Sequence, residues 1–246
     1  MSLQSEFAHA DRAALVTVVS GPDLGKKLLV RADGRSQGSI GDTKLNARAV
    51  AAGEELMWAE RSELRGELFV DVTYPAPRLI VFGAVDYAAA LCRMACAAGW
   101  RPFVIDPRGR FATPGRFPDA EAVVVAWPEQ AFARLGGIDR ATYIAVLTHD
   151  PKLDDAALSI ALRSEAPYIG AMGSRRAQAS RRERLIELGF SDEDLARIAA
   201  PIGLDLGSVT SEETALSIMA EVVAVRNGRE GGRLSTGRGR IHEVGA

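Results

Sequence analysis

With 246 residues, the chain is long enough for one large domain or two ordinary ones. A formal net charge of −2 and a pI of about 6.0 give no general attraction to nucleic acid. Its apolar runs fall far short of a bilayer span and no basic-then-apolar leader opens it, so a cytoplasmic protein with neither membrane nor nucleic-acid partner is expected.

Met1 to Asp11 reads as a short arm or helix, followed by the β-rich run Ala14 to Ser20, which Gly21-Pro22 breaks. KKLLVR, from Lys26 to Arg31, with Asp33-Gly34 behind it, predicts a strand entering a tight turn. The chain returns through Gly38-Ser-Ile-Gly41 to a helix over about Thr43 to Arg61, which carries Leu45, Ala49, Ala52, Leu56 and Ala59 at helical spacing. Gly66 to Thr73 alternates like a final strand. Pro75 and Pro77 then bracket a stiff joint, which sets a small N-terminal α+β domain (1–75) apart from a second domain (78–228), with a Gly- and Arg-rich tail (229–246) expected to be flexible.

The second domain opens on RLIVFGAVDYAAALCRMACAAGWRPFVIDPR. A short buried-type strand meets Gly83, an Ala-rich helix runs from Asp86 to a cap at Gly99, and a second strand ends in Asp106-Pro107. This is a β-α-β unit of the Rossmann type, in which the first turn holds a phosphate and the acid closing the second strand meets a ribose. Here the three glycine positions fall on Gly83, Val85 and Ala88. Val85 fills the space through which a pyrophosphate approaches the backbone, and Asp86 adds a carboxylate where the helix dipole favours an anion, so an ordinary dinucleotide is disfavoured.

Further strands are expected at Ala122 to Ala126, Thr142 to Leu147 and Tyr168-Ile169. Helices are expected at Pro128 to Leu135, Lys152 to Arg163, from Ser191 or Asp192 to Ala199, and from a Thr210/Glu213 capping box to about Arg226. The alternation argues a parallel doubly wound sheet, giving an α/β fold overall.

Three places offer chemistry. GAMGSRR supplies Gly170 and Gly173 to free the backbone, Ser174 to cap, and Arg175 to grip a phosphate, although the same arginines, continued by Arg181, Arg182 and Arg184, equally suit a solvated helix face. His149 and Asp150 stand at the carboxyl end of a strand, where open α/β sheets bind ligands. Pro201 to Gly207, too apolar for a linker, would lay its backbone against a pocket rim and present Asp205. With Gly83 and Asp106, these are the candidate binding residues; no catalytic residue is assigned. Three histidines and two cysteines one helical turn apart, Cys92 and Cys96, offer no metal ligand set, and the thiols read first as small core residues.

The VTVV strand, KKLLVRADGRSQGSIG, IVFGAVDYAAAL, VLTHDPKLDDAAL, YIGAMGSRR and PIGLDLGSVTSEETALSI together resemble the XdhC/CoxI family. The resemblance implies an accessory protein that binds molybdenum cofactor (molybdopterin) and assists its maturation and insertion into a molybdenum hydroxylase such as xanthine dehydrogenase or carbon monoxide dehydrogenase. It implies the apo-hydroxylase as partner, a homodimer, and a cysteine desulfurase as a candidate second partner. An NAD(P)-dependent oxidoreductase with a degenerate Rossmann site is the alternative. One departure stands out: where many members carry a Gly-Gly-Cys-type motif after the N-terminal glycine turn, this chain reads Gly38-Ser-Ile-Gly-Asp-Thr43, without a thiol.

Overall fold

The computed structural model describes residues 2–236, which divide between Ala76 and Pro77 into two compact units. The first is an antiparallel sheet with a helix on each face. Its elements are α1 (Leu3–Ala8), β1 (Ala13–Val18), β2 (Lys27–Arg31), β3 (Ser36–Gly38), α2 (Thr43–Trp58), β4 (Glu63–Arg65) and β5 (Leu68–Thr73), with strand order β3-β2-β1-β5-β4. Alternate residues of β1 divide between two cores. Ala14, Val16 and Val18 face α2, whereas Ala13 and Leu15 face α1. The expected helix from Thr43 stops at Trp58, not Arg61, because Glu60 turns to a positive φ of 52°.

The second unit contains β6 (Arg78–Phe82), α3 (Asp86–Ala97), β7 (Arg101–Ile105), β8 (Ala122–Val124), α4 (Pro128–Arg134), β9 (Thr142–Val146), α5 (Pro151–Leu162), β10 (Tyr168–Ala171), α6 (Arg175–Glu187), α7 (Asp192–Ala196), β11 (Ile198–Ala199) and α8 (Ser211–Arg226). The strands are all parallel, in the order β11-β10-β9-β6-β7-β8. Counted within the unit this is the doubly wound Rossmann order, with its reversal between β6 and β9. Both faces are covered. Leu79, Val81 and Ala145 pack with α3 and α8, while Ile80, Phe82 and Val146 pack on the other side with α4, α5 and α6.

Local chemistry fixes the helix starts. Asp150, Ser174, Ser191 and Thr210 each accept a first-turn N–H, and the Ser191/Asp194 and Thr210/Glu213 boxes are reciprocal. The helix expected from Ser191 to Ala199 is shorter than its sequence suggests. It stops at Ala196 so that Ile198 and Ala199 join β10 as a sixth strand. Of the C-terminal stretch, Leu234–Thr236 forms one 3-10 turn, and residues 237–246, including His242, lie outside the described residues. No described helix is long and apolar enough to cross a membrane.

Candidate functional site

At the sheet's reversal the segments leaving β6 and β9 lie against each other. Gly83 has φ +113°, and a Cβ there would stand 2.7 Å from Thr148 Cγ2 and 3.1 Å from Thr148 N. Glycine at 83 is therefore a packing requirement before it is a ligand contact. Beside it, Asp106 is wholly buried and its oxygens are already engaged. They accept from the Ala84 N–H at 2.9 Å, from Arg108 N and Nε, both at 2.9 Å, and from Arg108 Nη2 at 2.7 Å. An acid placed to meet a ribose instead holds its own loop.

Asp86 likewise does not stand at the turn as an unpaired charge. Arg116 donates to Asp86 Oδ1 at 2.9 Å and to the Ala84 and Phe111 carbonyls, so the loop after β7 folds onto the β6–α3 turn and offsets the carboxylate. Val85 remains the obstacle to a pyrophosphate, as the N-cap residue of α3 with no side-chain cap bond.

Thr148 leads into a buried polar network. Its hydroxyl donates to Asp154 Oδ1; Asp154 Oδ2 accepts from Arg181 Nη2 at 2.8 Å; and Arg181 also donates to Gln178 Oε1 and, at 2.9 Å, to the Met172 carbonyl. Gln178 in turn donates to the carbonyls of Ala171 and Gly173 at 3.3 and 3.2 Å. Burial raises the Asp154 carboxyl, and the bonds from Thr148 and Arg181 offset this only in part. Arg181 is thus a core residue of α6 and not a member of a solvated arginine face.

This network orients the turn after β10. With the Met172 and Gly173 carbonyls held toward α6, trans peptide geometry points the following N–H groups, those of Gly173 and Ser174, the opposite way. Neither N–H donates to an acceptor among the described residues. Ser174 caps α6 through the Ala177 N–H at 3.2 Å, and Arg175 stands exposed at the helix start with no hydrogen bond or ion pair among the described residues. Gly170 does not belong to this turn. It lies buried in β10, where a Cβ would meet Ile202 Cδ1 at 2.4 Å.

Arg175 shares a groove of about 680 Å³ with Asp205 and the rest of the Pro201 to Ser208 segment. His149 is exposed, and the Asp150 side chain is committed to capping α5 through Lys152 N at 3.0 Å. The structure therefore places Arg175 and Asp205 on one groove at the carboxyl edge, with Gly173 and Ser174 directly preceding Arg175 in the chain. It leaves His149 and Asp150 on the neighbouring β9 segment and Gly83 and Asp106 in packing and loop-holding positions.

The cysteines stand elsewhere. Cys92 is buried in α3, which pushes its thiol up to about 12. Cys96, near the helix C-terminus and so at the opposite edge of the sheet, donates to the Asp119 carbonyl at 3.1 Å, and its thiol is raised as well. In the first unit, the segment without the expected cysteine buries Ile40 and clamps its N–H on Asn46 Oδ1 at 2.9 Å. Among the described residues, no group of three or more His, Cys, Asp or Glu side chains is gathered to hold a metal ion.

A family model described as the XdhC Rossmann domain matches residues 79–222, and one described as the XdhC and CoxI family matches residues 7–66. The chain belongs to the XdhC and CoxI family. This member is 30% identical over 152 residues to the molybdenum cofactor insertion chaperone PaoD of Escherichia coli (strain K12), covering 62% of this chain and 41% of that one. It is 30% identical over 159 residues to a probable xanthine dehydrogenase subunit of Bacillus subtilis (strain 168), covering 65% and 46%. A crystal structure described as a xanthine dehydrogenase from Bacillus halodurans superposes with TM-score 0.60 at 22% identity, over 96% of this chain and 65% of that one, and shows the shared fold. The family member spans less than half the length of the curated relatives it matches.

Proposed function

We propose that the chain binds molybdenum cofactor through its phosphate and serves its maturation and insertion into a molybdenum hydroxylase such as xanthine dehydrogenase or carbon monoxide dehydrogenase. The observation that carries this reading is the turn after β10, where two outward amide groups, those of Gly173 and Ser174, adjoin the unpaired Arg175 on the wall of a ligand-sized groove. A phosphate monoester fits this donor set, since it takes hydrogen bonds from amides and a planar fork from arginine. Family membership and the name of the PaoD relative, a molybdenum cofactor insertion chaperone, support molybdenum cofactor as the phosphate-bearing ligand.

In this reading Gly173, Ser174 and Arg175 hold the phosphate, Asp205 and the Ile202 to Leu206 backbone form the wall, and His149 and Asp150 flank the entrance from β9. The bound cofactor would supply oxygen-transfer redox chemistry to the client enzyme; this chain's residues bind, orient and shelter it. With both thiols raised and set away from the groove, no cysteine of the second unit serves as a ready thiolate ligand, and a cysteine desulfurase, if engaged, would work on cofactor held by other groups. Asp106, occupied by Arg108, and Val85 at the first turn disfavour the NAD(P)-dependent oxidoreductase.

The test is reconstitution. An apo-hydroxylase supplied with released cofactor should regain activity several-fold better when the chain is present in stoichiometric amount. An equal yield with and without it contradicts the delivery reading.

A further inference from the structure

Arg175 and Asp205 carry opposite charges, line the same groove and remain unpaired among the described residues. Elsewhere in the second unit, arginines commonly close on a carboxylate, as Arg108 does on Asp106 and Arg184 on Asp155. A groove that keeps a guanidinium and a carboxylate apart complements a ligand with an anion at one end and paired N–H donors at the other. We propose, resting on the reading above, that Asp205 recognises the 2-amino-4-oxo-pyrimidine edge of a flat bicyclic heterocycle whose phosphate is held at Arg175.

The chemistry is specific because an ionised carboxylate only accepts hydrogen bonds. A 2-amino-4-oxo-pyrimidine presents its ring N–H and exocyclic amine side by side, the same two-pronged donor pattern with which arginine grips a carboxylate. Ile202, Leu204 and Leu206 supply apolar surface for the face of such a ring. The wall is also firmly based. Gly203 N donates to Glu221 Oε2 at 2.9 Å, Leu204 N donates to the Ser217 carbonyl at 3.2 Å, and the Ser217 hydroxyl donates back to the Leu204 carbonyl. A Cβ at Gly203 would stand 2.5 Å from Ser217 Oγ, so the loop sits directly on α8 and presents Asp205 from a fixed base.

Pterins and guanine share this edge, and the experiment separates them. The full chain and its Asp205→Asn variant are titrated with 6-hydroxymethylpterin phosphate, the matching lumazine phosphate in which a carbonyl replaces the amine, GMP and IMP. Circular dichroism checks that the variant folds, as its exposed position predicts. The wild type should prefer the pterin over the lumazine by about tenfold, and Asp205→Asn should remove the preference. A parallel preference for GMP over IMP assigns the site to guanine nucleotides as well, whereas its absence restricts it to pterins. Equal binding of amino and oxo partners, or a preference that survives in Asp205→Asn, overturns the proposal. If molybdopterin binds without any 2-amino preference, this inference alone fails. If an Asp205-dependent preference appears but molybdopterin does not bind, the delivery reading fails and the recognition stands.

Discussion

Arg181 and Asp154 meet at 2.8 Å inside the second unit, with only 5% and 4% of their side chains exposed. The pair is 27 residues apart in sequence and connects α6 to the start of α5, beneath the turn that carries Ser174 and Arg175. Removing one partner leaves the other charge buried and alone, at a cost of about 3–5 kcal/mol. Arg181→Ala should therefore lower the urea midpoint sharply, whereas the double change Asp154→Leu with Arg181→Met should recover most of the loss. Additive losses in the double variant would show that the two charges do not act as a pair.

Asp106 makes stability depend on pH. Burial by itself raises its carboxyl, but the Arg108 guanidinium and the Ala84 and Arg108 amides outweigh that and hold it below the usual aspartate range. The folded chain thus takes up this proton less readily than the unfolded chain. The stabilisation is complete above the unfolded value of about 3.9 and is lost as pH falls from there through the lower folded value. Asp106→Asn should be less stable than wild type at neutral pH, and the gap should narrow as pH drops toward about 3. Denaturant titrations at several pH values check this, and a gap that widens in acid contradicts it.

The boundary between the units is testable by protease. Ala76 is exposed between Pro75 and Pro77, and the contacts divide there. Brief digestion with proteinase K should leave a stable fragment beginning near Arg78. First cuts inside Ala122 to Val146 would contradict a separable second unit.

Much of this architecture is legible locally. Thr210 with Glu213, and Asp150 before Pro151, announce helix starts because a cap is a short-range interaction. The buried strands β6, β7 and β9 read directly as apolar runs bounded by glycine, proline or polar residues. The three-residue strands β3 and β4, and the two residues of β11, carry too little pattern and exist because a neighbouring strand offers hydrogen bonds.

The candidate site is readable in the sequence as a strand-end location more than as a set of roles. Ser174, Arg175 and Asp205 fall where strand ends predict a ligand edge. Arg181 was hidden because α6 is polar nearly all round, and its burial is decided by Asp154 on another helix. The occupation of Asp106 was more accessible, since Arg108 follows two residues later and a short loop returns the guanidinium to the carboxylate. Gly170 misled because glycine serves close packing as readily as phosphate binding, and Ile202, which requires it, comes from a distant loop.

The central claim is that an anion is held between the Gly173–Ser174 turn and Arg175. Released molybdopterin titrated against wild type, Arg175→Ala and Arg175→Lys at two salt concentrations tests it most directly. A charge-assisted hydrogen bond of about 1.5–3 kcal/mol predicts that Arg175→Ala binds about ten- to a hundredfold more weakly, with little change in folding. Lysine should restore only part of the affinity, because it keeps the charge and loses the planar fork. Equal binding by all three proteins would reduce the corner to a solvated helix start, and a wild type that binds no pterin would contradict the delivery function itself.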